Sequence, residues 1–367
     1  MASPSKKSFL LRYDPAVHDA LDLCLSCKGC ASDCPTGIDM ATYKSEVLHQ
    51  SYKGRLRPRS HYTLGWLPRL ARVASKTPRL VNALTHLPGA RRLTLPLGGV
   101  DPRRNLPTFA RRTFRSWAQA EGMIRPVDEV VGLAHPVAIF VDSFTDHFSP
   151  QVGEAAVAVL REAGYTPFVP EEQGCCGLTF ISTGQLDQAR RTLEGASATL
   201  APVVAAGVPV VGLEPSCTAA LRHDLPRLVD SPVARGVAGS VRTVAELLTA
   251  AIADGRWQAP DLSGTEVVAQ PHCHHHAVMS WKADEELLVA TGASVRRLGG
   301  CCGLAGNFGV ELGHYEVSVE VARQQLLPAI EEASPEAVVL ADGFSCQTQV
   351  ADLTDRQAVH LVELLAR

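Results

Sequence analysis

Along residues 127–367, short apolar runs alternate with longer stretches in which apolar residues recur every three or four positions. The runs at 137–141, 167–169 and 208–212 are short and rich in β-branched residues, so they read as strands. Between them the spacing predicts helices over 152–163 and from about residue 186. The same succession then returns. Strands are expected at 266–269, 294–298 and 337–340, with helices over 283–290 and from about residue 315. Strand alternating with helix implies parallel sheets flanked by helices. The repetition predicts two copies of one α/β unit, 127–258 and 259–367.

The first 126 residues are patterned differently. Residues 10–23 read as a helix, and Asp39 is placed to cap a second one over 40–48. Together with the loop between them they define a first module, 1–52. Residues 53–126 are punctuated by Pro and Gly, with short amphipathic pieces such as 66–73. From 53 to 115 many Lys and Arg stand against a single acid, Asp101. Two readings stay open for this segment: a solvated, irregular connector, or a docking surface for a negative partner or an anionic membrane face.

The chain has 367 residues, 46% of them hydrophobic, and a net charge of −3. That balance suits a soluble protein with a sizeable core and gives no sign of nucleic-acid binding. The longest uncharged stretch, 195–213, is interrupted by Pro202, Gly207 and Pro209 and does not read as a membrane span. The cysteines number 11, an odd count, and fall in tight local groups rather than as a scattered disulfide framework. With no apolar leader at the start, the expected location is the reducing cytoplasm, or the inner membrane face if the basic segment docks there.

The first group reads Cys24-Leu-Ser-Cys27-Lys-Gly-Cys30-Ala-Ser-Asp-Cys34-Pro35. This is the spacing with which ferredoxins hold a [4Fe–4S] cube, so Cys24, Cys27, Cys30 and Cys34 are expected to ligate one cluster. The fold class predicted is therefore a helical ferredoxin-like [4Fe–4S] module followed by two pseudo-repeated α/β Cys-Cys-Gly domains with parallel sheets. Each repeat carries an adjacent pair followed by glycine, Cys175-Cys176-Gly177 and Cys301-Cys302-Gly303. Neighbouring side chains reach one cluster only if the backbone bends sharply, which glycine permits. In the second repeat Cys273, Cys301, Cys302 and Cys346 offer a complete set of four thiolates for a second cluster. The first repeat has only Cys175, Cys176 and Cys217; where Cys273 has its counterpart, the chain reads Asp142-Ser-Phe-Thr-Asp-His147. Those three are a degenerate remnant, a zinc site closed by a histidine, extra ligands for the neighbouring cluster, or buried unreactive thiols. The run His272-Cys273-His274-His275-His276 invites zinc, but adjacent residues cannot all reach one ion, so the histidines are expected as donors around a cluster. The cysteines of the two repeats all fall beyond the carboxyl ends of predicted strands, where open α/β sheets bind ligands. No nucleotide-binding glycine motif, phosphate loop or nucleophile elbow is present.

A ferredoxin run joined to two Cys-Cys-Gly repeats resembles the Cys-Cys-Gly domain superfamily. That group includes a subunit of heterodisulfide reductase, a subunit of the anaerobic glycerol-3-phosphate dehydrogenase, and the FAD-linked oxidases of D-2-hydroxy acids. The wording is most similar to the iron–sulfur C-terminal half of those oxidases, through Leu213-Glu-Pro-Ser-Cys217, Cys301-Cys-Gly-Leu-Ala-Gly-Asn-Phe-Gly309 and His314-Tyr315. The resemblance implies an electron-transfer component of a D-lactate, glycolate or D-2-hydroxyglutarate type dehydrogenase. FAD would reside on a flavoprotein partner or on a further domain, and a quinone or another carrier would take the electrons. Heterodisulfide reductase uses a further cysteine three residues after the last of each repeat; here Ala220 and Gln349 occupy those places. The alternatives are a thiol/disulfide redox enzyme of that kind and a zinc-bound structural scaffold.

Overall fold

The structure, a computed structural model, describes residues 15–87 and 89–367. Eight strands form two four-stranded sheets. The first contains β1 (Pro136–Phe140), β2 (Thr166–Phe168), β3 (Val210–Gly212) and β4 (Val241–Arg242), in the order β2-β1-β3-β4. The second contains β5 (Glu266–Ala269), β6 (Ser294–Arg297), β7 (Val338–Leu340) and β8 (Ala358–Val359), in the order β6-β5-β7-β8. Every pairing is parallel, with Ala138 opposite Phe168 and Val210, and Val267 opposite Val295 and Val338. The identical order is the predicted duplication. The two edge strands β4 and β8 are two residues each, too short to leave an apolar run in the sequence.

Side-chain alternation along the strands divides the interior. Val137, Ile139 and Val141 point to one core and Ala138 and Phe140 to another. In the second sheet Val267, Ala269 and Leu340 join the same core as Val137, while Val268 and Val339 face a third. The core shared by both sheets is filled by helices Pro150–Glu162, Val244–Ala253, Lys282–Ala290 and Leu361–Leu365. Helix Pro150–Glu162 of the first repeat packs on the C-terminal helix Leu361–Leu365 of the second, so one interior locks the repeats together.

The predicted helices are present as Pro150–Glu162, Leu186–Ala205, Lys282–Ala290 and Tyr315–Gln324. The last is followed by a separate helix, Leu326–Glu332, because Pro328 has no N–H to continue the ladder. At the N-terminus, the helix expected over 10–23 is seen as Pro15–Asp22; its first five residues lie outside those described. The helix after Asp39 runs Met40–Ser51, and Asp39 accepts the Thr42 N–H as expected of a cap. Residues 53–126 are built from short helices, Arg59–Thr63, Leu67–Ala74, Pro78–Thr85, Ala90–Leu97 and Phe114–Ala120. Among the described residues, no helix is long and apolar enough to cross a membrane.

Candidate functional site

The N-terminal cysteine loop is shaped by two left-handed residues, Ser26 (φ 58°) and Lys28 (φ 63°). These turns set Cys24, Cys27 and Cys30 half-buried, and the Met40 N–H donates to Cys30 Sγ at 3.3 Å. Cys34 is exposed, its sulfur 3.1 Å from Thr36 Oγ1. Burial, then the neighbouring Cys273 sulfur, pushes the Cys27 thiol up to about 11, with Cys24 and Cys30 adding to the effect. The charge of Cys273, in the second repeat, is thus felt at Cys27, and the residue beside each makes a direct contact, His274 Nε2 with the Ser26 carbonyl at 2.8 Å.

Polar contacts hold the loop there. Lys28, 4% exposed, donates to Asp39 Oδ2 (3.1 Å) in its own module and to Asp224 Oδ1 (3.0 Å) in the first repeat. His274 Nε2 lies 2.8 Å from the Ser26 carbonyl and His276 Nε2 2.9 Å from Asp33 Oδ1. His314 Nε2 lies 2.9 Å from Asp22 Oδ2. The histidine run thus serves largely as a seam between the module and the second repeat. Each of these rings has its own partner, which the sequence does not disclose.

In both repeats the glycine of Cys-Cys-Gly is left-handed, with φ +69° at Gly177 and +88° at Gly303, as the required bend implies. Gly177 opens helix Leu178–Ser182 directly, whereas Gly303 leads into a looped stretch ending at the short turn Phe308–Val310. In the first repeat Cys176 and Cys217 are buried with their sulfurs 2.8 Å apart, and Cys175 neighbours Cys176. In the second, Cys301 neighbours both Cys273 and Cys302, and Cys302 neighbours Cys346. The position matching Cys273 is taken up by Asp142 and the turn after it. Asp142 accepts the Phe144 and Thr145 N–H groups and so caps helix Ser143–His147. His147, the histidine of that stretch, turns its Nδ1 to Ser75 Oγ at 2.9 Å.

Cys175, Cys176 and Cys217 of the first repeat and His272 and Cys273 of the second line one cavity of about 250 Å³ together with Lys28, whereas Cys301, Cys302 and Cys346 are not part of its lining. Phe144 stacks on Phe344 across the repeats, centroids 4.8 Å apart, and Glu214 Oε2 accepts the Phe344 N–H at 2.8 Å. Leu64, Leu67 and Pro68 of the 53–126 segment also line the cavity. The thiols of the first repeat hold their protons. Contact with Cys176 favours the Cys217 thiolate, but burial, Asp142 and Glu214 outweigh it and push that thiol up to about 12. Burial and the Asp142 charge likewise raise Glu214 to about 7. A bound cation reverses that balance, because a coordinating thiol is deprotonated outright. Tetrahedral zinc, with Zn–S near 2.3 Å, would draw its sulfurs to about 3.8 Å of one another. Among the described residues, no three cysteine sulfurs gather within 4.8 Å.

One further residue, Arg104, escaped sequence reading. Arg104, 1% exposed, reaches from the 53–126 segment into the second repeat, donating to the Gly309 carbonyl (2.7 Å), Gln349 Oε1 (2.6 Å) and Ser318 Oγ (2.7 Å). Gln349, the residue three after Cys346, is fully committed to that network and to the Ser318 carbonyl. No sequence signal marks a buried arginine inside a basic segment.

The family described as Cysteine-rich domain, CCG, matches residues 137–222 and 267–351. Over 370 residues the chain is 25% identical to a D-2-hydroxyglutarate dehydrogenase of Pantoea ananatis, a match covering 96% of this chain and 34% of that protein. It is 26% identical over 311 residues to an anaerobic glycerol-3-phosphate dehydrogenase subunit of Escherichia coli, covering 84% of this chain and 76% of that one. A fumarate reductase (CoM/CoB) subunit of Methanothermobacter marburgensis is 28% identical over 287 residues, covering 73% and 53% respectively. The chain thus spans about a third of the length of the D-2-hydroxyglutarate dehydrogenase it matches.

Proposed function

From a chain that carries two copies of the Cysteine-rich domain and is homologous to dehydrogenase and reductase components, we propose an iron–sulfur electron-transfer role. It would serve an FAD-linked 2-hydroxy-acid dehydrogenase whose flavin is carried by a partner chain or a further domain. The observation that supports this most is the docking of the N-terminal cysteine loop on the Cys273 segment of the second repeat, through His274 on the Ser26 carbonyl and His276 on Asp33. Cys24, Cys27, Cys30 and Cys34 would hold one [4Fe–4S] centre, and Cys273, Cys301, Cys302 and Cys346 a second. Such centres supply one-electron transfer at potentials set by burial and by hydrogen bonds to sulfur. This chain's own part is to position and insulate. Gly177 and Gly303 bend the backbone so that adjacent cysteines face inward, Lys28 and the histidine seam fix the module against the repeats, and the Met40 N–H donates to Cys30 sulfur. The heterodisulfide-type alternative is not favoured, because Gln349 is bound into the Arg104 network rather than turned toward the cysteines.

The 53–126 segment supports docking to an anionic membrane face. Leu70, Val73, Leu80, Leu84 and Leu97 are exposed on its helices beside Arg69, Arg72, Lys76 and Arg79, the mixture expected of an interfacial surface. The same helices reach the cavity through Leu64 and Leu67, which gives an apolar carrier such as a quinone a route to the sulfur groups. Iron and acid-labile sulfide analysis of anaerobically purified protein tests the main reading. About eight of each per chain is expected from two cubes; zinc without sulfide overturns it. Sedimentation with anionic vesicles tests the docking, and failure to bind at low salt removes it.

A further inference from the structure

We propose that His275, Asp284 and Asp342 form a site for one divalent transition-metal ion of the zinc type, separate from the cysteines. Their ligand atoms lie within 4.8 Å of one another. They come from three elements: the π-helical turn His275–Met279, helix Lys282–Ala290, and the carboxyl end of β7. π-helical turns are rare and recur at functional sites.

His275 and Asp284 are 3% and 2% exposed. His275 Nε2 is 3.1 Å from Asp284 Oδ2, yet neither ring nitrogen nor that oxygen has a hydrogen-bond partner. The two groups pair by charge at that distance, while Nδ1 of the same ring is buried with no partner at all. Asp342 accepts the Leu361 N–H with Oδ1 at 2.7 Å, which leaves its second oxygen for the ion. His360 is close by, 3.6 Å from Asp342 Oδ1, but its ring is spent: Nδ1 accepts the Val362 N–H and Nε2 donates to the Leu213 carbonyl.

Charge points the same way. Two ionised carboxylates beside one imidazole would leave a net negative charge whichever form the histidine takes, and burial accordingly holds Asp284 above the usual carboxylate range. Glu246, near enough to act on His275, adds to it and is itself paired with Arg222. Buried charge of this kind is costly unless it is paired or bound to metal. One imidazole nitrogen with two carboxylate oxygens is a donor set that zinc accepts and that the oxygen-seeking calcium and magnesium do not prefer. The ion would tie residue 275 to helix Lys282–Ala290 and β7, and so hold Cys273, two residues away, in place.

The test is zinc K-edge absorption on the full chain, reconstituted anaerobically with iron and sulfide, loaded with zinc and dialysed. The expected result is about one zinc per chain with nitrogen and oxygen neighbours near 2.0–2.1 Å and no sulfur shell near 2.3 Å. Asp284→Asn and Asp342→Asn should each lower the retained zinc more than tenfold while iron content stays unchanged. Zinc that washes out of the parent, a sulfur shell around it, or undiminished zinc in both variants would each overturn the proposal. The parent spectrum decides even if a variant folds poorly. Loss of this site would leave iron and sulfide intact, so its failure is distinguishable from failure of the electron-transfer reading.

Discussion

Replacing Lys28 with methionine should weaken docking of the cysteine loop by about 3–5 kcal/mol, the cost of stripping one partner from a buried ion pair. The ammonium lies 3.0 Å from Asp224 and 3.1 Å from Asp39, and the three side chains are 4%, 6% and 13% exposed. The intact triad is worth far less than its attraction suggests, because three charges leave water to form it. Removal is costly because two carboxylates stay behind. The burden is unequal. Asp39 keeps the Thr42 N–H and hydroxyl, with Arg227 at 3.6 Å. Asp224 keeps only His223, at 3.1 Å, and its Oδ2 has no hydrogen-bond partner even now. Adding Asp224→Asn to Lys28→Met should therefore recover about 1–2 kcal/mol, and adding Asp39→Asn less. Burial opposes ionisation of Asp39, but Lys28 and the Thr42 N–H overcome it and hold the carboxyl at about 2; without Lys28 it should titrate higher. A chain of several packed units is not expected to unfold in one step, so the readout is native-state hydrogen exchange of residues 24–51 under anaerobic conditions. A Lys28→Met opening energy within about 1 kcal/mol of the parent, or a double variant weaker than the single, would refute the reasoning.

The two Cys-Cys-Gly glycines should differ in tolerance. Gly303→Ala would put a methyl group 2.1 Å from the Ser318 carbonyl, whereas at Gly177 the nearest atom is 3.4 Å away. The first should cost more than about 3 kcal/mol and the second about 1–2, the usual left-handed penalty; equal losses in denaturant titrations would contradict this. Contacts from Glu311 and then Asp22 raise His314 to about 9 despite partial burial. A raised pKa means stabilisation fully present below about 6.5 and lost as pH climbs through 9. Because Asp22 faces solvent, the amount is about 1 kcal/mol, and the gap between parent and His314→Gln should close above pH 9 rather than stay constant. Burial lowers His61 to about 4, so its neutral ring favours the fold above pH 6.5, and up to about 3 kcal/mol drains away as pH falls toward 4. An acid profile unaltered in His61→Asn would disprove that assignment.

The parallel sheets were legible because the central strands β1 and β5 are buried and read as short continuous apolar runs between helical periods, although β6, Ser294–Arg297, is largely exposed. Val137–Val141 and Val267–Ala269 carry that signal; β4 and β8, two residues each, cannot. The cysteine groups announced themselves by spacing, and the left-handed glycines followed from the need to turn two adjacent sulfurs one way. What spacing could not supply is which groups meet. Lys28 pairs with a residue 196 positions away and Arg104 with one 245 away. Such pairs arise only once the shared core has fixed the two sheets face to face, and no local pattern encodes them.

The asymmetry of the repeats also follows from that docking. Duplication would place a cysteine after β1 as after β5, yet the chain has Asp142 there, using its carboxylate to cap the turn that carries Phe144. Phe144 stacks on Phe344, which precedes Cys346 by two residues and whose N–H is held by Glu214. The first repeat thus carries no cysteine at the strand end that helps brace the second repeat's last cysteine loop. Cys175, Cys176 and Cys217 line the same cavity as Cys273. The consequence is an asymmetry of the repeats: four thiols in the second, and in the first three thiols beside a strand end that carries an aromatic brace.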